Sequence, residues 1–465
     1  MQAALNERLT RVGPGTACGA LMRRYWQPVA LLDEFDPALD ARMRERPVKA
    51  VRLLGQDLVL FRDDQGQWGL LDRDCPHRGA DLAFGRLEAD GLRCPFHGWK
   101  FAPDGRCLET PAEPSLNGVA STLCQRVRQR SYPVRVQSGV VFAWLGPEGE
   151  PPPALPAFDC FTAPASHSFA FKGLWRCNWL QAFEVGIDPA HPSFLHRYLQ
   201  DDSLEATYGR QFRAASVGEV DGERWPMTRV MRECYSPEIH HHEVAPGLTR
   251  ITTLRHLSER LTHVRVTHAA FPHTFVIPLS ETVTITQMHV PVDDVNTYWV
   301  TFFTSFDAPL DKDTMRRQRL AGITLPDYIP KHGRHDHWNF DPAEQRTRTY
   351  LGMGEEDINL HDQWAVESMG AIQDRTREHL GTSDKVIMAN RRVLMKAIDT
   401  VEAGGVPPMV LTSDEAQALT GPDTMDCIAP AADWQGFWQT AASAKRQRAA
   451  WLAEGAEPAA APVAR

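Results

Sequence analysis

The sequence contains no apolar run of the ~18 residues or more that reads as a membrane-spanning helix. Its opening stretch, MQAALNERLTRVGPGTACGALMRRYW, also lacks an apolar segment of signal-peptide length, so a cytoplasmic protein is expected. An excess of positive charge is missing as well. With 50 Lys and Arg against 59 Asp and Glu, the net charge of -9 argues against a broad nucleic-acid-binding face. The cysteines lack the even count of a secreted disulfide framework: nine of them, at Cys18, Cys75, Cys94, Cys107, Cys124, Cys160, Cys177, Cys234 and Cys427, are scattered along the chain. No internal repeat is visible. What remains is the composition of a folded protein, 43% hydrophobic and 23% charged, in a 465-residue chain long enough for two or three domains.

From Pro47 to about Leu145 short β-like runs (VKAVRLLG, DLVLFRDD, WGLLD, VVFAWLG) alternate with Gly, Asp and Pro turn signals, which predicts a small all-β module over 46–150. The proline-dense PEGEPPPALP closes it, because proline removes backbone donors and favours an extended connector. A second domain is expected over 151–450, with 1–45 packing on it and 451–465 as a flexible tail. Within it, 178–200 reads as helical and 205–305 as further strands (TRITTLRHL, LTHVRVTHAAF, ETVTITQMHV, TYWVTFFTSF), best arranged as an antiparallel sheet. Apolar residues recurring at three and four in QWAVESMGAIQDRTREHL and SDKVIMANRRVLMKAIDTV predict helices that cover the sheet. The fold class is α+β.

The first module holds a matched pair of metal-binding motifs, Cys75-x-His77 and Cys94-x-x-His97, within DCPHRGADLAFGRLEADGLRCPFHGWKF. Tetrahedral zinc is the competing reading, but zinc spacings pair CxxC with HxxxH. A Rieske centre ligates one iron of a [2Fe–2S] cluster with two Cys and the other with two His, and each motif here supplies one ligand of each kind. Pro76 and Pro95 stiffen the loops. Gly79 and Gly98 let backbone amides approach the cluster sulfurs.

A second constellation lies in NWLQAFEVGIDPAHPSFLH, with Asp188, His191 and His196. Asp188 can cap a helix beginning at Pro189, with His191 in its first turn. Five residues apart, the two histidines stand about 140° around a regular helix, so they meet on one ion only if Pro192 loosens it. Two His and one carboxylate with open positions suit Fe(II). The carboxylate has to come from elsewhere, since Asp188 sits where it can accept the free ring N–H of His191. Read alone, the pair could equally be two ordinary helix histidines and a cap.

Together, CPH…CPFHGW and DPAHPSFLH closely resemble the oxygenase α subunits of the Rieske non-heme iron oxygenases. LTRVGPGTACGALMRRYWQPV and HDQWAVESMGAIQDRTREHLGTSD are similar to the branch containing phthalate 4,5-dioxygenase and certain aryl ether O-demethylases. The resemblance implies a Rieske domain and a helix-grip catalytic domain. It implies a [2Fe–2S] cluster on Cys75, His77, Cys94 and His97 and a mononuclear Fe(II) on His191, His196 and a C-terminal Asp. Asp362 is preferred to Asp374, which lies among Arg375, Arg377 and Glu378 as on a solvated face. The implied activity is dihydroxylation or monooxygenation of an aromatic substrate with O2, or O-demethylation by the same machinery. Electrons would come from NAD(P)H through a separate flavin and iron–sulfur reductase. A homotrimer, or a multiple of it, is implied, with Asp188 bridging His97 of one subunit and His191 of the next. A pure Rieske electron carrier is the alternative from another class.

Arg210, Arg213, Arg229 and Arg250 could clamp a substrate carboxylate, but each is as easily an exposed strand residue, and none is assigned. His240, His241 and His242 read as a solvated loop, and Trp99, Trp175, Trp179, Trp338 and Trp364 as core or interface.

Overall fold

The computed structural model describes residues 1–113, 121–202, 213–354 and 358–452. Arg210 and the tail from 453 onward lie outside the described residues. The chain divides into two compact units, one formed by Val12–Pro153 and the other by Met1–Arg11 with the chain from Ala154 onward.

The Val12–Pro153 unit is built from three antiparallel sheets. One joins Val48–Leu53, Gln56–Arg62 and Trp68–Asp72, and a second joins the short strands Arg86–Glu88, Gly91–Arg93, Lys100–Phe101 and Cys107–Glu109. The third pairs Gln27–Leu31 with Val140–Ala143 and Val134–Gln137. Residues 12–45, expected to go with 1–11 and the second domain, belong instead to this unit, where Gln27 pairs with Ala143 in the ladder. Alternating strand positions place Val48, Val59, Phe61, Leu71 and Phe101 in one core with Leu82, Leu92 and Trp99. Each large apolar side chain fully buried there contributes roughly 1.5–3 kcal/mol. Cys75 and Cys94 belong to the same cluster of buried residues.

The larger unit carries an eight-stranded antiparallel sheet running Ser168–Trp175, Thr297–Ser305, Val283–Pro291, Thr274–Pro278, Leu261–Ala270, Leu248–His256, Glu238–Ala245, with Met425–Pro430 alongside Leu261–Ala270. Leu261–Ala270 divides its pairing: Leu261 to Val266 bond to Met425–Pro430, while His268 to Ala270 bond to Thr274–Pro278. The helix Trp179–Ile187 is apolar and buried nearly all round, as a core helix has to be. Asn178 caps it by accepting from the Leu180 N–H, and its amide donates to the Thr10 and Asp294 carbonyls, tying the first residues of the chain to this unit.

Two helical expectations shorten. The helix foreseen over 178–200 ends at Ile187, because Pro189 disfavours helical backbone at the residue before it and Asp188 is extended (φ -82°, ψ 113°). The helix Ile358–Ser368 stops before Gly370, whose φ of 96° is left-handed, and the stretch to Leu380 is turns and irregular chain. His240, His241 and His242, expected in a loop, lie in the edge strand Glu238–Ala245, where only Ile239 is buried. With one apolar residue buried and histidines at the next three positions, such a strand has no apolar alternation to betray it. Of the tryptophans, Trp99, Trp175, Trp179 and Trp338 are buried and Trp364 is half-buried.

Candidate metal centres

In the smaller unit two loops repeat one backbone pattern. The Cys75 N–H donates to the Ala80 carbonyl and the Gly79 N–H to the Cys75 carbonyl; in the same way the Cys94 N–H donates to Trp99 and the Gly98 N–H to Cys94. Each turn closes on a glycine with φ near the left-handed value, 73° at Gly79 and 76° at Gly98. Nothing lies within 4 Å of a Cβ built on Gly79, so backbone conformation alone calls for glycine there.

Cys75 and Cys94 are both 2% exposed, while His77 and His97 stand half-buried with ring centroids 4.5 Å apart at 72°. The thiols lie inside and the imidazoles outside, and the His77 ring stacks on Trp99 at 4.3 Å. Burial pushes the Cys75 thiol up to about 11, with Cys94 adding to the effect, so its ionisation calls for adjoining positive charge. A tetrahedral zinc would hold its four donors about 3.3–3.8 Å apart. Among the described residues, the group of three or more donors that falls within 4.8 Å is His191, His196 and Asp362, not this one. Two Cys and two His are the donor set of a Rieske two-iron cluster.

In the larger unit Asp188 ends the helix Trp179–Ile187 rather than starting one, and its Oδ1 accepts the Ala190 N–H at 2.8 Å. His191 opens a single 3₁₀ turn, His191–Ser193, so the two histidines do not share a regular helix and the 140° separation does not arise. Their rings stand 5.1 Å apart at 78°. Asp362, inside the helix Ile358–Ser368, brings Oδ1 to 3.2 Å from His196 Nε2 and 3.8 Å from His191 Nε2. That oxygen is buried and makes no hydrogen bond, an expensive state for a carboxylate unless a cation completes it. Although burial opposes ionisation, His196 and His191 hold the carboxyl below its ordinary value. Burial also keeps His191 neutral, the form that ligates. Asp374 is elsewhere occupied: exposed, it accepts from the Thr376 N–H and hydroxyl.

The ring N–H of His191 is taken by the backbone carbonyl of Asp188 at 2.7 Å, with carboxylate Oδ2 3.8 Å away, so the carbonyl and not the side chain is its nearer partner. His196 Nδ1 lies 3.2 Å from Nδ1 of His361, a residue the sequence gave no reason to single out beyond its place beside Asp362.

His191, His196 and Asp362 border a cavity of about 330 Å³. Strand register builds its walls, since residues directly opposite in a ladder face the same way. Ile277, Ile285 and Phe303 form one cross-strand row, and Thr253, Arg265 and Asp426 form another. The polar row was not foreseen. Arg265 bonds Asp426, which also accepts from His263 Nε2 at 2.8 Å. Nearby Arg255 is 1% exposed, donates to the Cys234 and Pro189 carbonyls, and keeps a buried Nη1 without a partner. Burial, with help from Arg265, pulls the Arg255 guanidinium down to about 10. Of the arginines considered from sequence, Arg213 borders the cavity and pairs with Asp202, Arg229 pairs with Glu223, and Arg250 lies over the Trp438 ring. A second cavity, of about 620 Å³, opens on the other side of Asp188 and His191 among Phe194, Tyr350, Met369 and Leu380.

The chain matches the model of the Rieske [2Fe-2S] domain over residues 33–128 and that described as LigXa C-terminal domain like over 143–451. It is 33% identical over 414 residues to a phthalate 4,5-dioxygenase oxygenase subunit of Pseudomonas putida, covering 86% of each chain. It is 29% identical over 431 residues to a 5,5'-dehydrodivanillate O-demethylase oxygenase subunit of Sphingobium sp., covering 88% of this chain and 84% of that one. Its fold is similar to the solved structure of Pseudomonas putida CBB5 NdmB, with a TM-score of 0.54 at 19% identity over 83% of this chain and 93% of the other.

Proposed function

This chain belongs to the Rieske non-heme iron oxygenases, and we propose that within that family it is the terminal oxygenase of an aromatic-acid hydroxylating system. In this reading Cys75 and Cys94 hold one iron of the [2Fe–2S] cluster, His77 and His97 hold the other, and His191, His196 and Asp362 hold the mononuclear Fe(II). When bound, the cluster supplies electrons singly and the mononuclear iron supplies O2 activation. The observation that carries the assignment is the buried, unbonded Asp362 Oδ1 facing the Nε2 atoms of both histidines. The chain's own part is to orient both imidazoles with Nε2 towards Asp362 and to enclose the substrate against the Ile277, Ile285 and Phe303 wall.

A carboxylated substrate is favoured by likeness to a phthalate 4,5-dioxygenase oxygenase subunit. Arg265 lines the cavity paired with Asp426, and Arg255 lies two residues along the strand from Thr253, on the same face. The Arg255 Nη1 donor, buried and without a partner, is left for an anionic group. O-demethylation of a methoxylated aromatic acid is the second reading; likeness to an O-demethylase subunit favours it, and the same wall would receive the methyl group.

Electrons come from a separate reductase component, and a flavin and iron–sulfur reductase fed by NAD(P)H is the form proposed. A homotrimer is proposed, in which the cluster of one copy serves the iron of the next. Two exposed patches support it: Phe96, 57% exposed beside His97, and the Phe194, Tyr350 and Met369 surface flanking Asp188. Asp188 would then pass electrons between His97 of one copy and His191 of its own. No described helix is long and apolar enough to cross a membrane, in keeping with the proposed cytoplasmic site.

Oxygen uptake with a generic reductase, measured against aromatic carboxylates and methoxy-aromatic acids, tests the reading. Turnover confined to uncharged aromatics would reject the carboxylate assignment.

A further inference from the structure

We propose that His361 is a positioning residue for His196, fixing both the orientation and the tautomer of that ring; the inference rests on His196 being an iron ligand. The helix Ile358–Ser368 sets two consecutive side chains against one imidazole. Asp362 Oδ1 lies 3.2 Å from His196 Nε2, and His361 Nδ1 lies 3.2 Å from His196 Nδ1. Consecutive helical residues point about 100° apart, so a ring entering between them meets one of them at each of its nitrogens. The His196 and His361 rings are nearly parallel, 5.4 Å apart at 22°, and His361 is wholly buried. A rotation of His196 would break both contacts together.

Proton placement follows from the ligand role. A neutral imidazole that gives one nitrogen to a metal keeps its proton on the other. With Nε2 turned towards Asp362, the His196 proton sits on Nδ1 and is donated to His361 Nδ1, which has to be a bare acceptor. His361 then carries its own proton on Nε2, a buried atom that makes no hydrogen bond among the described residues. The two histidine ligands are thus held by different acceptors, His191 by the Asp188 carbonyl and His196 by a second imidazole. Neither acceptor is a carboxylate.

The test compares wild type with His361→Phe, which keeps a ring and deletes the acceptor, and His361→Asn, whose amide oxygen can replace Nδ1. Fe(II) affinity is measured by chelator competition on protein depleted of mononuclear metal, with the Rieske electron-paramagnetic signal reporting that the cluster module is intact. His361→Phe is expected to weaken Fe(II) binding about 10–100-fold, and His361→Asn to recover most of it. Unchanged affinity in His361→Phe, or equal loss in both variants, overturns the proposal. A second measurement needs no variant to fold. With Co(II) in the mononuclear site, the wild-type proton spectrum should show two paramagnetically shifted, slowly exchanging ring N–H signals, one from each histidine ligand. A single such signal would overturn it.

Discussion

His191 Nδ1 stands 2.7 Å from the backbone carbonyl oxygen of Asp188 and 3.8 Å from that residue's carboxylate Oδ2. The contact that orients the ligand therefore survives loss of the side chain, which separates two roles usually lost together. Asp188→Asn is expected to retain mononuclear iron in full while slowing electron delivery from the cluster about tenfold or more, as for other groups that support a metal ligand. Iron counting and single-turnover oxidation of the reduced cluster check this. An unaltered single-turnover rate would remove Asp188 from the electron path.

Asp362→Ala should empty the mononuclear site and abolish product, leaving two irons per chain and an intact Rieske signal. Asp374→Ala, at an exposed residue whose carboxylate accepts from Thr376, should leave three irons and wild-type turnover. The same count distinguishes the oxygenase from an electron carrier with a cluster alone. Loss of iron from the second variant and not the first would exchange the two assignments.

Arg255 keeps a buried Nη1 without a partner, on the strand face where Thr253 lines the cavity. A charge-assisted hydrogen bond is worth about 1.5–3 kcal/mol, so Arg255→Gln should raise KM for a carboxylated substrate roughly 10–100-fold. The corresponding amide or ester should be affected far less. Steady-state kinetics with the acid and its amide measure the split, and an equal effect on both would mean that Arg255 only supports the fold.

Acid stability of the cluster module depends on Glu88, which accepts from Arg93 at 2.7 Å and lies 3.1 Å from Lys100. Arg93, more than any other group, lowers the Glu88 carboxyl from 4.5 to about 2. A carboxyl depressed by folding stabilises above its unfolded value and ceases to as the pH falls through its folded one. The difference in melting temperature between wild type and Glu88→Gln should therefore be full above pH 4.5 and shrink as the pH drops towards 2. The pair is only half-buried and reached by solvent, so the difference is small, and a gap that widened in acid would contradict it.

How far each site was legible follows from how far apart its parts lie in the chain. Cys75, His77, Cys94 and His97 sit in two short loops with their prolines and glycines beside them, so ligand type and spacing carried the reading. Asp188 was misplaced although the signal was present: Pro189 denies helical backbone to the residue before it, which makes Asp188 an end and not a beginning. Asp362 depended on resemblance, because nothing local distinguishes it from a helix cap. Arg265 and Asp426, separated by 161 positions, meet only because two strands pair in one register, and no short window of sequence encodes that. His361 was silent for the same reason: its partner lies 165 positions away.

The divided pairing of Leu261–Ala270 also orders events during synthesis. Its first half stays an open edge until Met425–Pro430 leaves the ribosome. Until then Arg265 and His263 have no carboxylate to meet, and an unpaired strand edge is exposed to neighbouring nascent chains. The polar corner of the cavity is thus assembled late, and a ribosome stalled before Met425 would release a product that holds both histidine ligands and Asp362 yet has no finished place for a substrate.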